Sequence, residues 1–206
     1  APCYIMNSFD SKWVLTANYN GGSLSMVKVN SFGMFEDAVH VVQFQGEGPN
    51  KERQQKSHLH SIYPSPDSLY LFANDLGADK IYRMDYREDL DNTSIFEIPL
   101  KPCSGPRHTV VHPNGKWAYT ITELSGEVIA FNYADGVLEE FQTVLADTLG
   151  AKGSAGLQLT PNGKYLYASN RLQGDGIAIF LIDQTNGKLT KIGYQETGSH
   201  PRNLAI

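Results

Sequence analysis

The stretch 105–123, GPRHTVVHPNGKWAYTITE, carries two β-type runs, 109–111 and 117–122, on either side of Pro113-Asn114-Gly115-Lys116. β-Branched and aromatic residues flanking a Pro/Asn/Gly turn read as an antiparallel hairpin. The turn falls at the middle of the stretch. Arg107, at the start of the first strand, and Glu123, at the end of the second, therefore return to the same edge.

Working outward, the same pattern recurs along the chain. Comparable turns are Phe9-Asp10-Ser11-Lys12-Trp13, Pro66-Asp67-Ser68-Leu69-Tyr70 and Pro161-Asn162-Gly163-Lys164-Tyr165. Each is followed by an aromatic or aliphatic strand (WVLTAN, YLFAND, WAYTIT and YLYASN across the four units), then by a third strand. In most units a fourth strand-like run follows, as at 40–44 or 189–194. Self-similar units of four antiparallel strands at about 45–50 residues are the signature of propeller blades, whereas a sandwich asks for no such period. The expected fold is all-β: a β-propeller of four-stranded blades, about four of them in this chain, at 1–56, 57–103, 104–153 and 154–197. Residues 198–206 repeat the start of the third unit, which predicts the beginning of a fifth blade and a larger ring.

Counting from the Asp/Asn of each turn aligns positions between units. Seven residues earlier stand Cys3, His60, Arg107 and Ala155, with Arg202 in the partial fifth unit; nine residues later stand Tyr19, Leu76, Glu123 and Arg171. Start of first strand and end of second strand are one end of a hairpin, so the repeat predicts that His60, Arg107, Glu123, Arg171 and Arg202 face one mouth of the propeller. Guanidiniums in a concave site bind carboxylate or phosphate bidentately and stabilise an oxyanion at a carbonyl under attack. A carboxylate or an imidazole beside them can orient or deprotonate water. The pairing points to acyl chemistry on a small anionic substrate, with lactone hydrolysis or its reverse fitting well. No Gly-x-Ser-x-Gly elbow supports a covalent serine route.

Other features narrow the class. The net charge of −5 with no basic tract argues against nucleic acid, and no apolar run is long enough to span a membrane. Cys3 and Cys103 form no Cys-x-x-Cys motif, which speaks for a reduced compartment, expected to be the cytoplasm. No cofactor is called for. His58 and His60, two apart on a strand, share a face but lack further ligands, so no metal is expected. Asp75 and Asp79 read as caps of a Gly-containing turn. His108, next to Arg107, is expected on the opposite face of its strand and bonded to backbone.

These residues also resemble a known family, the seven-bladed propeller lactonases, which include propeller-type 6-phosphogluconolactonases and carboxy-muconate cyclases. The resembling motifs are Ala17-Asn18-Tyr19-Asn20-Gly21-Gly22-Ser23, Ser57-His58-Leu59-His60, Asn74-Asp75-Leu76-Gly77-Ala78-Asp79-Lys80, Gly105-Pro106-Arg107-His108, Thr122-Glu123-Leu124 and Ala168-Ser169-Asn170-Arg171. The resemblance implies catalytic roles for His60 (or His58), Arg107, Glu123 and Arg171. His58 and Arg202 are further expected to contact substrate, as is Asn170, although asparagine in a strand-end loop is as often structural as substrate-binding. It implies hydrolysis of a small anionic sugar lactone, 6-phosphogluconolactone being favoured. A lactonising cyclase, or a non-catalytic propeller that holds an anionic ligand or acidic peptide, are the alternatives. Ser57 stands where the family's His-x-His segment usually begins with proline.

Overall fold

The computed structural model describes residues 2–86 and 93–206, and of Ala38 only the backbone; residue 1, where the first expected unit begins, lies outside them. The described residues form sixteen strands and no helix. They make four antiparallel sheets of four strands, each in simple sequential order. The first holds β1 (Pro2–Asn7), β2 (Trp13–Asn18), β3 (Ser23–Val29) and β4 (Phe35–Gln43). The second holds β5 (Leu59–Pro64), β6 (Tyr70–Asp75), β7 (Lys80–Asp85) and β8 (Ile95–Pro99). The third comprises β9 (Pro106–Val111), β10 (Trp117–Thr122), β11 (Glu127–Ala134) and β12 (Val137–Leu145). The fourth comprises β13 (Leu157–Leu159), β14 (Tyr165–Asn170), β15 (Gly176–Ile182) and β16 (Leu189–Glu196). No strand is assigned in 197–206.

The sheets group into two compact units, Ala1–Cys103 and Ser104–Ile206. Each unit buries one apolar cluster shared by its two sheets. In the first, Leu15, Leu24 and Met26 meet Leu59, Ile62, Leu71 and Met84; in the second, Trp117, Tyr119, Ile121 and Val128 meet Leu157, Leu166 and Phe180. Strand alternation produces this: Trp13, Leu15 and Ala17 of β2 are buried while Val14, Thr16 and Asn18 are half-exposed. Within the second unit the sheets are also stitched by polar contacts. Tyr119 Oη donates to the Gly187 carbonyl at 2.8 Å, and Gln142 both donates to the Leu189 carbonyl and accepts its N–H.

The turn that defines the repeat has one chemistry in all four sheets. The side-chain oxygen of Asp10, Asp67, Asn114 or Asn162 accepts the N–H two residues on, at 2.9–3.1 Å. Such a local bond closes the turn without help from the sheet. Ser8, Ser65 and Thr160 brace three of these oxygens by hydrogen bonds of 2.5–2.7 Å. In the third sheet His112 takes that place, accepting the Asn114 N–H at Nδ1 and donating from Nε2 to the Gly163 carbonyl in the next turn. The following residue has positive φ throughout: Ser11, Ser68, Gly115 and Gly163.

Candidate active site

At the far end of these hairpins the strand register breaks at one recurring position. In β9 His108 pairs with Ile121 and Pro106 with Thr122, so Arg107 is an extra, bulged residue. His60 is passed over in the same way between Leu59 and Ser61, and Cys3 between Pro2 and Tyr4. A bulge bends its strand and re-aims a side chain. The position seven residues before each turn is thus a bulge in three sheets. It faces the position nine residues after the turn: the N–H groups of Leu76, Glu123 and Arg171 bond to the carbonyls of His58, Gly105 and Gly153.

In the second unit this brings three of the expected residues into one buried ion cluster. Arg107 Nε donates to Glu123 Oε2 at 2.8 Å, and Arg171 Nη2 reaches the same oxygen at 3.3 Å. Arg171 is held in turn by its Nε, which donates to the Gly153 carbonyl at 2.9 Å. Arg107 is only 2% exposed, Glu123 5% and Arg171 7%. Arg202, on the exposed strandless segment, adds its charge to the group. Burial, opposed by Glu123 but assisted by the charges of Arg171 and Arg202, brings Arg107 down to about 10. Two guanidiniums on one carboxylate, with the charge of Arg202 felt at Arg107, leave the cluster with uncompensated positive charge, a setting that favours a bound anion.

His108 differs from expectation. Its Nε2 lies 3.4 Å from Arg107 Nη1, so the two neighbours meet instead of facing apart. The reason is the bulge: the extra residue interrupts the alternation on which the opposite-face reading depended. Burial, with the charges of Arg107 and Arg202, pushes the imidazole down to about 3. A guanidinium has no acceptor, so Nε2 accepts and the proton sits on Nδ1.

Asn170, for which a substrate contact and a structural role were both open, has structural partners here. It is fully buried; its Oδ1 accepts from Ser154 Oγ at 2.6 Å and its Nδ2 donates to the Ala146 carbonyl. The equivalent positions also fasten strand ends: Asn18 Nδ2 donates to Ser25 Oγ and Thr122 Oγ1 to the Glu127 carbonyl, both across the turn to the next strand, and Asp75 accepts the N–H groups of His58, Gly77 and Ala78. Position eight after the turn is therefore a strand-end fastener.

In the first unit, His58 and His60 are both buried and both lie against Tyr19. The His58 ring stacks on it at 4.4 Å and His60 meets it edge-on at 5.7 Å. His58 Nδ1 is 3.0 Å from the Tyr19 carbonyl, and Tyr19 Oη accepts from Arg53 Nη2 at 3.4 Å. Sequence counting had placed Tyr19 in the register of Glu123 and Arg171 without assigning it a role. An aromatic there, followed by Asn-Gly-Gly, was the available signal.

Comparison with known proteins bears on this arrangement. The family described as Lactonase, 7-bladed beta-propeller matches residues 1–206. The chain belongs to the seven-bladed β-propeller lactonase family. Its four sheets are accordingly blades of a β-propeller. Among members similar to this lactonase-family chain is a 6-phosphogluconolactonase of Formosa agariphila, 38% identical over the whole chain and 60% of the relative. Crystal structures of putative 6-phosphogluconolactonases from Bacteroides fragilis and Bacteroides uniformis share 46% and 49% identity. Both superpose with a TM-score of 0.93, over all of this chain and 60% of theirs. The chain thus spans about 60% of the length of these relatives.

Proposed function

We propose that the protein is a lactonase acting on a small anionic sugar lactone, with 6-phosphogluconolactone as the favoured substrate. The observation that carries this reading is the cationic excess around Glu123: two buried guanidiniums on one carboxylate oxygen, with Arg202 close enough to depress Arg107. The names of the similar 6-phosphogluconolactonases supply the substrate class.

In the proposed reaction, Arg107 and Arg171 hold the anionic group and polarise the lactone carbonyl. Glu123 orients a water and takes its proton as the oxygen adds to the carbonyl carbon. Charge that builds on the carbonyl oxygen is met by groups already fixed in place, so little reorganisation is needed at the barrier. The carbon–ring-oxygen bond then breaks, the proton passes to the leaving oxygen, and the open-chain carboxylate departs. A phosphorylated substrate does not cross membranes unaided, so a cytoplasmic location goes with the proposal. Among the described residues no helix is long and apolar enough to cross a membrane.

The test is steady-state hydrolysis of 6-phosphogluconolactone by the full-length protein. Arg171→Ala and Glu123→Gln are each expected to lower kcat/KM about 10²–10³-fold. Values within threefold of wild type would remove both residues from the mechanism.

A further inference from the structure

The two neighbours of Arg107 sit on opposite flanks of its guanidinium. Glu123 Oε2 occupies Nε, and His108 Nε2 stands at Nη1. Among the described residues no hydrogen bond is made by the remaining nitrogen, Nη2. A guanidinium is flat and its donors are fixed in a fork, so contacts at Nε and Nη1 set both its position and its rotation. The bulge at Arg107 is what allows the adjacent histidine to reach that second flank.

We propose that His108 is a positioning residue, which with Glu123 clamps Arg107 from both sides and turns its outer Nη edge toward the anionic group of the substrate. This deepens the lactonase reading and rests on it for the identity of the substrate. A neutral acceptor suits the role better than a second carboxylate. It fixes the guanidinium without cancelling the positive charge that attracts the anion. A methylene-sized misplacement of a charged group can cost a large factor in rate, so the clamp has a measurable consequence.

The experiment compares His108→Leu and His108→Gln in the full-length protein. Glutamine places an amide oxygen near the position of Nε2 and can accept from Arg107; leucine fills similar space and cannot. Hydrolysis of 6-phosphogluconolactone is followed together with thermal unfolding and calorimetric binding of inorganic phosphate. His108→Leu is expected to lower kcat/KM about 10–100-fold and weaken phosphate binding about tenfold. His108→Gln is expected to keep both within threefold of wild type. Equal losses in the two variants, or no loss in either, would overturn the clamp while leaving the lactonase reading intact. A wild-type protein that binds phosphate without hydrolysing the lactone would sink the substrate assignment, and the phosphate arm would then decide the clamp alone. A wild-type protein that does neither overturns both.

Discussion

Glu123 holds two guanidiniums through a single oxygen, and His108 stays neutral beside them, so protons and charge in this cluster are tightly linked. The imidazole supplies a pH prediction. An unfolded histidine titrates near 6.5, whereas burial and the charges of Arg107 and Arg202 bring His108 to about 3 in the folded state. Above 6.5 neither state binds the proton and the group contributes no pH dependence. As pH falls from 6.5 toward 3 only the unfolded chain takes it up, so stability is lost across that window. At pH 4.5 the loss attributable to His108 is about 3 kcal/mol, and His108→Gln should lack it. Urea unfolding of both proteins at pH 7 and 4.5 measures the difference; parallel acid losses would refute it. At this scale the sequence was uneven as a guide. Arg107, Glu123 and Arg171 could be brought together by counting from the turn, because the repeat fixes which strand ends coincide. Arg107 against His108 could not, since strict alternation is the rule that a bulge suspends. Asn170 was ambiguous for a related reason: a polar residue beside a site looks the same in sequence whether it faces a ligand or fastens the loop behind it.

The hairpin turns belong to the next scale, and they were the most legible elements of the chain. Asp or Asn accepting the N–H two residues on is a local interaction, written in four adjacent letters and little affected by distant packing. The first strand of the fourth sheet was less legible. β13 has only three residues, and ahead of it the Ser169 hydroxyl takes the Gly156 N–H that a longer strand would use in its ladder. The positive-φ position gives a paired test. A Cβ on Gly163 would lie 2.4 Å from His112 Nε2, at a φ of +67° that disfavours side chains in any case. Gly163→Ala is therefore expected to cost about 2 kcal/mol or more, since the His112 bond to the same residue is pushed apart as well. Ser68 occupies the equivalent place at φ 62°, and Ser68→Gly should be neutral or stabilising by up to about 1 kcal/mol. Chemical denaturation of the two variants checks both; a tolerated Gly163→Ala would show that the turn can open without cost.

For the molecule as a whole, the net charge and the cluster carry opposite signs. The chain has a net charge of −5, yet the cluster around Glu123 is cationic. Long-range attraction of an anion is therefore weak, and binding depends on short contacts in a buried setting that salt screens poorly. Inorganic phosphate is expected to compete with 6-phosphogluconolactone, whereas sodium chloride at equal ionic strength should change KM by less than about threefold. Equal inhibition by both salts would argue for general screening instead of a fitted anion site. The whole-molecule pattern was readable because all four units repeat one order of strands; the pairing of sheets into two units was not, as it depends on which buried faces meet. One arrangement has a practical corollary. In the third sheet the turn at 112–116 and the pair Arg107–Glu123 occupy opposite tips of the same hairpin. An engineer could harden one tip, transplanting the Pro-Asn-Gly-Lys wording of the third and fourth sheets into the first two, and leave the tip that carries the proposed chemistry untouched. Durability and chemistry here answer to separate controls.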